Sequence, residues 1–317
     1  MDLTITPEVV SWAYRLFLDR EPENEIVVEE KATTCRSTLE LRRVFMRSEE
    51  FKSKNAVFAT LSGHESPITV DFSVSDVELQ KIFSHVQKSW TSLGLDDPYY
   101  SVLTRGKFWK KLMSKKRVEE FYESGKQEVD RFFKTLDRNS IDPKTFQKCL
   151  DFGCGAGRIS RWLSEEFETI YAYDVSSHYL EMAQKYLENK EISNIHYCQV
   201  TDVDDLENFP KVDFIYSVIV LQHNPPPIIH RVILEFMRAL NPGGIAFFQL
   251  PTYKEGYRFV LEEYLENGSS QEEMEMHVLP QNAVFDIVRE ENGKILEVVE
   301  DFSTSWGLSN TFVVQKI

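Results

Sequence analysis

The sequence has 317 residues, of which 42% are hydrophobic and 13% aromatic, enough for one large domain with a sizeable core and a smaller second one. Its net charge of −15 disfavours nucleic acid as a partner, because clusters of Lys and Arg carry the affinity for phosphate backbones. The sequence contains neither a membrane-spanning run of about 18 apolar residues nor a secretory signal, so we expect a cytoplasmic protein.

Residues 1–60 are predicted to form a small all-helical domain. Thr6-Pro7-Glu8 is typical of a helix start, because it combines a capping hydroxyl, a proline at the first helical position and an acid in the first turn. A second helical stretch covers residues 26–33, and Ser37-Thr38-Leu39-Glu40 is a capping box that begins a third helix.

Two segments of this domain, Tyr14 to Pro22 and Phe45 to Phe51, resemble a small helical domain of unknown function. That domain occurs in bacterial repeat-rich secreted proteins and beside glycosyltransferases. The resemblance implies a glycan setting by association. The alternative is a helical appendage that docks a protein partner or mediates self-association.

Residues 61–117 are predicted to be a linker and a helical lid, in front of a larger domain at 118–317. Gly, Ser and Pro give residues 55–75 the composition of a linker. The spacing of apolar residues predicts a helix from Val77 to Trp90, and a break is expected at residues 95–103.

The larger domain begins with a short apolar strand followed by a glycine-rich turn and a helical pattern. Gly153, Gly155 and Gly157 suit a backbone that turns sharply with positive φ and lets a ligand approach closely. A dinucleotide motif needs its third glycine one residue later, where this sequence has Arg158, so a dinucleotide-dependent oxidoreductase is disfavoured. Asp151 would repel a pyrophosphate and attract an ammonium group. The loop therefore favours a nucleoside-like ligand with a cationic amino-acid end.

Further strands alternate with helices downstream. Residues 170–174 are an apolar strand that ends in Asp174, an acid placed to accept both hydroxyls of a ribose. Residues 212–221 are a continuous apolar run, as expected for a strand buried on both faces. This alternation predicts a parallel sheet. Two strands at 295–299 and 310–315 are predicted to close it.

Residues 118–317 resemble the class I S-adenosylmethionine-dependent methyltransferases. The resemblance rests on five elements in order: the Asp-Phe-Gly-Cys-Gly-Ala-Gly loop, Asp174, Asp202, the strand from Asp213 to Ser217 with its Gln222-His223 tail, and Asn241-Pro242-Gly243-Gly244. It implies a Rossmann-like α/β fold, with a seven-stranded, mostly parallel sheet, helices on both faces and one antiparallel strand in a terminal hairpin.

The resemblance also implies S-adenosyl-L-methionine as the cofactor. The backbone of Gly153, Gly155 and Gly157 would pass close to it. Asp151 would face its ammonium group, and Asp174 would accept its ribose hydroxyls.

Further cofactor contacts are implied by the same resemblance. Asp202 and the amide of Val203 would read the amino edge of adenine. Tyr122 and Gly125 belong to a Tyr-x-Ser-Gly element that approaches the cofactor in a group of these enzymes, although an ordinary helix junction with a buried tyrosine is the alternative. The remaining residues assigned to the cofactor site are Arg158, Val175, Ser217 and Gln222.

Two histidines are candidate catalytic residues. His223 follows the fourth strand, at the edge where such sheets bind ligands, and its ordinary pKa suits a base near neutral pH. The alternative is that it only packs beside the prolines that follow. His277 is the second candidate, in a long insert at residues 251–280 that would cover the acceptor pocket. No metal is expected, because one of the acids at residues 202–205 is already assigned to adenine.

The predicted activity is O-methylation of a sugar hydroxyl or another small polar acceptor, such as part of a glycan or glycolipid. The alternative is a catalytically inactive, cofactor-binding interaction module. The four cysteines show no metal-ligand spacing and are interpreted as structural thiols in a reducing compartment.

Overall fold

The computed structural model describes residues 5–54, 65–267, 274–304 and 306–317. The chain divides into two compact units, Met1–Thr60 and Leu61–Ile317. Within the described ranges, every helix is too short or too polar to cross a membrane.

The first unit is all-helical, as predicted. Side chains of Thr6, Asn24 and Ser37 cap its first three helices by accepting hydrogen bonds from backbone amides. Its core includes Tyr14 and Phe45, whose rings meet edge to face at 4.8 Å. The helices are α1 (Pro7–Leu18), α2 (Glu25–Thr34), α3 (Thr38–Met46) and α4 (Glu49–Lys54).

The second unit alternates strands and helices. Its strands are β1 (Thr69–Val70), β2 (Lys148–Phe152), β3 (Thr169–Asp174), β4 (Ile195–Gln199), β5 (Val212–Ser217), β6 (Leu240–Tyr253), β7 (Arg258–Phe259), β8 (Gly293–Glu300) and β9 (Leu308–Lys316). Its helices are α5 (Asp76–Asp96), α6 (Pro98–Val102), α7 (Lys115–Arg138), α8 (Ser160–Leu163), α9 (Ser177–Glu188), α10 (Pro226–Ala239), α11 (Leu261–Asn267) and α12 (Gln281–Glu290). Short 3₁₀ turns lie at Gly106–Phe108, Lys110–Leu112, Pro143–Thr145, Val203–Asn208 and Leu221–His223.

The main sheet has seven strands in the order β4-β3-β2-β5-β6-β9-β8. Neighbouring strands are parallel except at β9, which runs antiparallel to both β6 and β8. The predicted seven-stranded, mostly parallel sheet with a terminal hairpin is therefore confirmed. Strand β6 begins at Leu240, which pairs with Val212, and a register shift separates this pair from the next, Phe214 with Ile245.

Helices cover both faces of the sheet. On one face α5, α10 and α12 pack against strand residues such as Leu150 and Phe248. On the other, α7, α8 and α9 pack against strand residues such as Phe214 and Val313. Because both faces are buried, the central strands are apolar on both sides.

The segment predicted as a linker and lid has more structure than expected. Thr69 and Val70 form a two-stranded parallel sheet with Arg258 and Phe259, within the long insert after β6. Residues 55–64, the first part of the expected linker, lie outside the described residues. Helix α5 continues past Trp90 to Asp96. The break expected at residues 95–103 lies between α5 and α6, and α6 begins at Pro98 because proline suits the first position of a helix.

Candidate functional site

A cavity of about 510 Å³ opens at the carboxyl ends of β2, β3, β4 and β5. Open α/β sheets bind ligands at this edge. Its floor is made by residues at the ends of those strands or just after them, including Asp151, Gly153, Asp174 and Val220. Its cover comes from α5, α6 and the segment before α12, chiefly Val86, Trp90, Ser101, Val102, Met274 and Met276.

The loop after β2 can be built only with glycine. Gly153 has φ of 72°, and a Cβ there would lie 2.3 Å from the Val220 side chain. Gly155 has φ of 54°, and its Cβ would lie 2.8 Å from Val102. Both glycines line the cavity. Gly157 instead faces Ala183 of α9, where it allows close packing between the loop and that helix.

Two buried carboxylates lie on the cavity wall. Asp174 accepts hydrogen bonds from the amides of Gly155 and Ser176, one to each oxygen and both at 2.9 Å. Asp151 accepts a hydrogen bond from the Ser160 hydroxyl at 2.6 Å. Burial raises the pKa of Asp174 to about 6 and, more strongly, that of Asp151 to about 7. Each carboxylate keeps lone pairs for a ligand that brings hydroxyl or ammonium donors.

Arg158 adds a buried cation to the same wall. Its Nη2 is 2.8 Å from a Glu128 carboxylate oxygen, and its Nη1 donates to the Ser124 hydroxyl at 3.4 Å. Among the described residues, nothing accepts a hydrogen bond from its buried Nε. A guanidinium has five N–H donors, so Arg158 has donors left for a carboxylate group.

His223 and Gln222 also line the cavity. The Nδ1 of His223 is 2.9 Å from the Glu275 carbonyl oxygen, which can only accept, so Nδ1 carries the proton. The Nε2 of His223 therefore accepts a hydrogen bond from the Gln222 amide at 3.2 Å. The amide of Gln222 is oriented by Gln249, whose Nε2 donates to Gln222 Oε1 at 3.1 Å. Trp90 packs edge to face on the His223 ring, with centroids 5.1 Å apart.

Burial also changes the acid–base behaviour of His223. The loss of hydration lowers the pKa of His223 to about 4, although the hydrogen bond to the Glu275 carbonyl raises it in part. The ordinary pKa that the sequence interpretation assumed is therefore corrected. His223 is neutral at physiological pH and has an unprotonated Nε2, but it is a weaker base than an exposed histidine.

Tyr122 and Gly125 lie behind the glycine loop and not on the cavity wall. The Tyr122 hydroxyl donates to the Ala156 carbonyl at 2.8 Å, and its ring stacks on Tyr186 at 3.5 Å between centroids. A Cβ at Gly125 would lie 2.4 Å from the Arg158 carbonyl oxygen. Both residues thus let α7 pack closely against the loop.

His277 and Ser217 are also away from the described cavity lining. The ring nitrogens of His277 contact the Tyr257 hydroxyl at 2.9 Å and a Glu275 carboxylate oxygen at 2.7 Å. Its backbone amide donates to the Gln222 carbonyl, so His277 supports the segment that carries Gln222 and His223. Ser217 is fully buried at the end of β5, between Tyr216 and Val218, which do line the cavity.

Asp202 and Val203 lie at the same sheet edge but outside the described lining. Gln80 of α5 forms hydrogen bonds with both of them. Of the predicted site residues, the cavity brings together Asp151, Gly153, Gly155, Arg158, Asp174, Val175, Gln222 and His223.

Several lining residues were not predicted from the sequence. Trp90 and Val102 come from α5 and α6, and Met274 and Met276 follow residues 268–273, which the structure does not describe. Apolar residues at helical spacing look the same in a sequence whether they face a core or a cavity. Glu128 was missed for another reason, because its role depends on Arg158, which is distant in sequence.

Comparison with known proteins identifies the sheet unit. A protein-family model described as a methyltransferase domain matches residues 149–244, which contain the glycine loop and strands β3, β4 and β5. Residues 149–244 are a methyltransferase domain.

The curated relatives of this methyltransferase domain include ubiquinone biosynthesis O-methyltransferases. That of Actinobacillus pleuropneumoniae serotype 5b (strain L20) is 33% identical over 107 residues, which are 32% of this chain and 44% of that protein. That of Pseudomonas savastanoi pv. phaseolicola (strain 1448A / Race 6) is 32% identical over 103 residues, 32% of this chain and 43% of that protein. The chain spans less than half the length of these relatives.

Solved structures share the fold of the methyltransferase domain. Magnesium protoporphyrin IX methyltransferase from Synechocystis PCC 6803, with bound SAH (S-adenosylhomocysteine), superposes with a TM-score of 0.52 at 17% identity. The match covers 74% of this chain and 100% of that one. The fold is that of the S-adenosylmethionine-dependent methyltransferases, whose cofactor is S-adenosylmethionine.

Proposed function

We propose that this chain is an S-adenosylmethionine-dependent O-methyltransferase that acts on a hydroxyl group of a small acceptor. The observation that carries the proposal is the composition of one cavity wall. That wall combines a glycine loop, two buried carboxylates with raised pKa values, and a buried arginine. These groups fit a ligand that has ribose hydroxyls and an amino-acid end.

The residues of the wall would divide the binding between them. Asp174 would accept the ribose hydroxyls, Asp151 would face the ammonium group, and Arg158 would face the carboxylate. When bound, S-adenosylmethionine supplies an electrophilic methyl group, so the protein has to position the acceptor and receive its proton. His223 lines the cavity and is the candidate for that second task, which its unprotonated Nε2 can perform once the Gln222 amide no longer donates to it.

The lining near His223 indicates the character of the acceptor. The cavity lining there has an apolar and partly aromatic surface, made by Trp90, Ile219, Met274 and Met276. Such a surface favours a flat, largely apolar acceptor with a hydroxyl over a sugar, whose several hydroxyls need polar partners. The relatives named as ubiquinone biosynthesis O-methyltransferases support the same choice. The expected sugar or glycolipid acceptor is supported by the resemblance of the first unit and by the acidic charge of the chain.

The test has two steps. Calorimetric titration should show binding of S-adenosylhomocysteine and no binding of NAD; binding of NAD alone would exclude the proposal. Methyl transfer is then measured by mass shift with a panel of phenols and catechols beside a panel of free and activated sugars. Transfer to sugars only would reverse the acceptor assignment. Cofactor binding without transfer to either panel would favour the inactive interaction module.

We expect the affinity for S-adenosylhomocysteine to rise with pH through the range of the two raised carboxyl pKa values, about 6 for Asp174 and about 7 for Asp151. Below that range the carboxyl groups of Asp174 and Asp151 are protonated in the free protein. Binding of the ribose hydroxyls and the ammonium group releases these protons, so the affinity increases as the pH rises. One linked proton changes the affinity by at most about tenfold per pH unit. Above pH 8 or so the affinity should level off.

The proton release can be measured directly. Titrations at fixed pH in two buffers of different ionisation enthalpy give the number of protons released, and Asp151→Asn should reduce that number. An affinity that stays constant across this pH range would show that neither carboxylate changes its protonation on binding.

A further inference from the structure

Two atoms after β4 form a paired hydrogen-bonding site. The carboxylate of Asp202 accepts and the amide of Val203 donates. Asp202 is fixed by its own segment, because its Oδ1 accepts from the Asp204 amide and its amide donates to Asp205 Oδ2, both at 3.0 Å. The Asp202 carboxylate and the Val203 amide are therefore adjacent whether or not another group is hydrogen-bonded to them.

Gln80 of α5 makes both hydrogen bonds. Its Nε2 donates to Asp202 Oδ2 at 2.9 Å, and its Oε1 accepts from the Val203 amide at 3.3 Å. A carboxamide presents an NH₂ donor beside an acceptor, and the amino edge of adenine presents the same pair. Gln80 thus makes the two contacts that the family resemblance assigns to adenine.

We infer that the Gln80 side chain competes with the adenine group of the cofactor for Asp202 and Val203, so that Gln80 limits cofactor affinity. The inference rests on the proposed function. The position of the cavity supports it, since Val175 and Val200, at this sheet edge, line the cavity together with Val86 of α5. Adenine that pairs with Asp202 Oδ2 and the Val203 amide would have to displace the Gln80 carboxamide from both.

Gln87 provides a matched control on the same helix. It lies about two turns beyond Gln80 on the same face of α5. Its Nε2 donates to the carbonyls of Val200 and Thr201, each at 3.2 Å. Gln87 therefore also attaches α5 to the segment after β4, but through acceptors that the adenine edge does not need.

The first experiment compares S-adenosylhomocysteine affinities by calorimetry for the wild type, Gln80→Ala, Gln80→Met and Gln87→Ala. Both Gln80 variants should bind roughly 3- to 10-fold more tightly, because a competing state has been removed. Gln87→Ala should stay within about twofold of the wild type. Absence of binding by the wild type would contradict the proposed function itself. Wild-type binding with no gain in the Gln80 variants, or an equal gain in Gln87→Ala, would contradict the competition.

A second measurement does not depend on affinity. Hydrogen exchange at the Val203 amide should be faster in Gln80→Met than in the wild type without ligand, because the amide has lost its acceptor. Added S-adenosylhomocysteine should slow exchange at that amide in both proteins. Equal exchange of the Val203 amide in the two free proteins, or no protection by the ligand, would overturn the inference.

Discussion

Replacing His223 with alanine is expected to reduce the rate of methyl transfer by about 10²-fold, the lower end of the range for a positioned base. The effect is placed at the lower end because burial lowers the pKa of His223 to about 4, and a weak base receives a proton less readily. The affinity for S-adenosylhomocysteine should not change, since the contacts of His223 are with Gln222, the Glu275 carbonyl and Trp90, not with Asp174 or Arg158. Single-turnover rates and calorimetry measure the two quantities.

The pH dependence of the wild-type rate gives an independent check. With a pKa of about 4, His223 stays neutral from pH 6 to 9, so it contributes no step in that range. His178, a half-buried histidine of α9 outside the cavity lining, is the matched control, and His178→Ala should keep the wild-type rate. If His223→Ala also keeps most of its rate, His223 only orients Gln222 and packs against Trp90.

Asp174→Ala should weaken the binding of S-adenosylhomocysteine by about 1–3 kcal/mol, or roughly 5- to 150-fold. The change removes a charged acceptor at the cavity wall. It also leaves the amides of Gly155 and Ser176 without their acceptor, so the loop itself loses support. Asp174→Asn keeps an oxygen and the shape of the side chain, and should lose less affinity.

Thermal unfolding separates lost binding from lost folding in these variants. Asp204→Ala is the control, because Asp204 is an exposed acid at the same edge of the sheet and does not line the cavity. Its affinity and melting temperature should match those of the wild type. An unchanged dissociation constant in a folded Asp174→Ala protein would remove Asp174 from the cofactor site.

The sheet could be predicted from the sequence because local patterns determine it. The glycine loop, the acid at the end of β3 and the apolar run of β5 each follow from a few adjacent residues, and their order specifies a parallel sheet. The boundaries were less accurate where tertiary pairing decides them. Strand β6 begins at Leu240 because Val212 offers a partner there, although Pro242 and Gly243 look like a turn in the sequence.

The site could be predicted only in part, because some contacts join residues far apart in sequence. His223 was identified by its position after a strand, but its pKa depends on burial under a segment near Glu275. His277 has both ring nitrogens engaged by side chains of the insert, which no spacing rule indicates. The contact of Gln80 with Asp202 spans 122 residues and has no sequence signal.

A single continuous helix, α5, carries both Gln80 and Trp90. Gln80 bonds Asp202 and Val203, and Trp90 packs on His223 roughly 15 Å further along the helix axis. A helix of this length moves largely as one body, so a shift that frees Asp202 also shifts the ring beside His223. Cofactor and acceptor would then influence each other's affinity by the same factor, and this coupling would pass through a single helix.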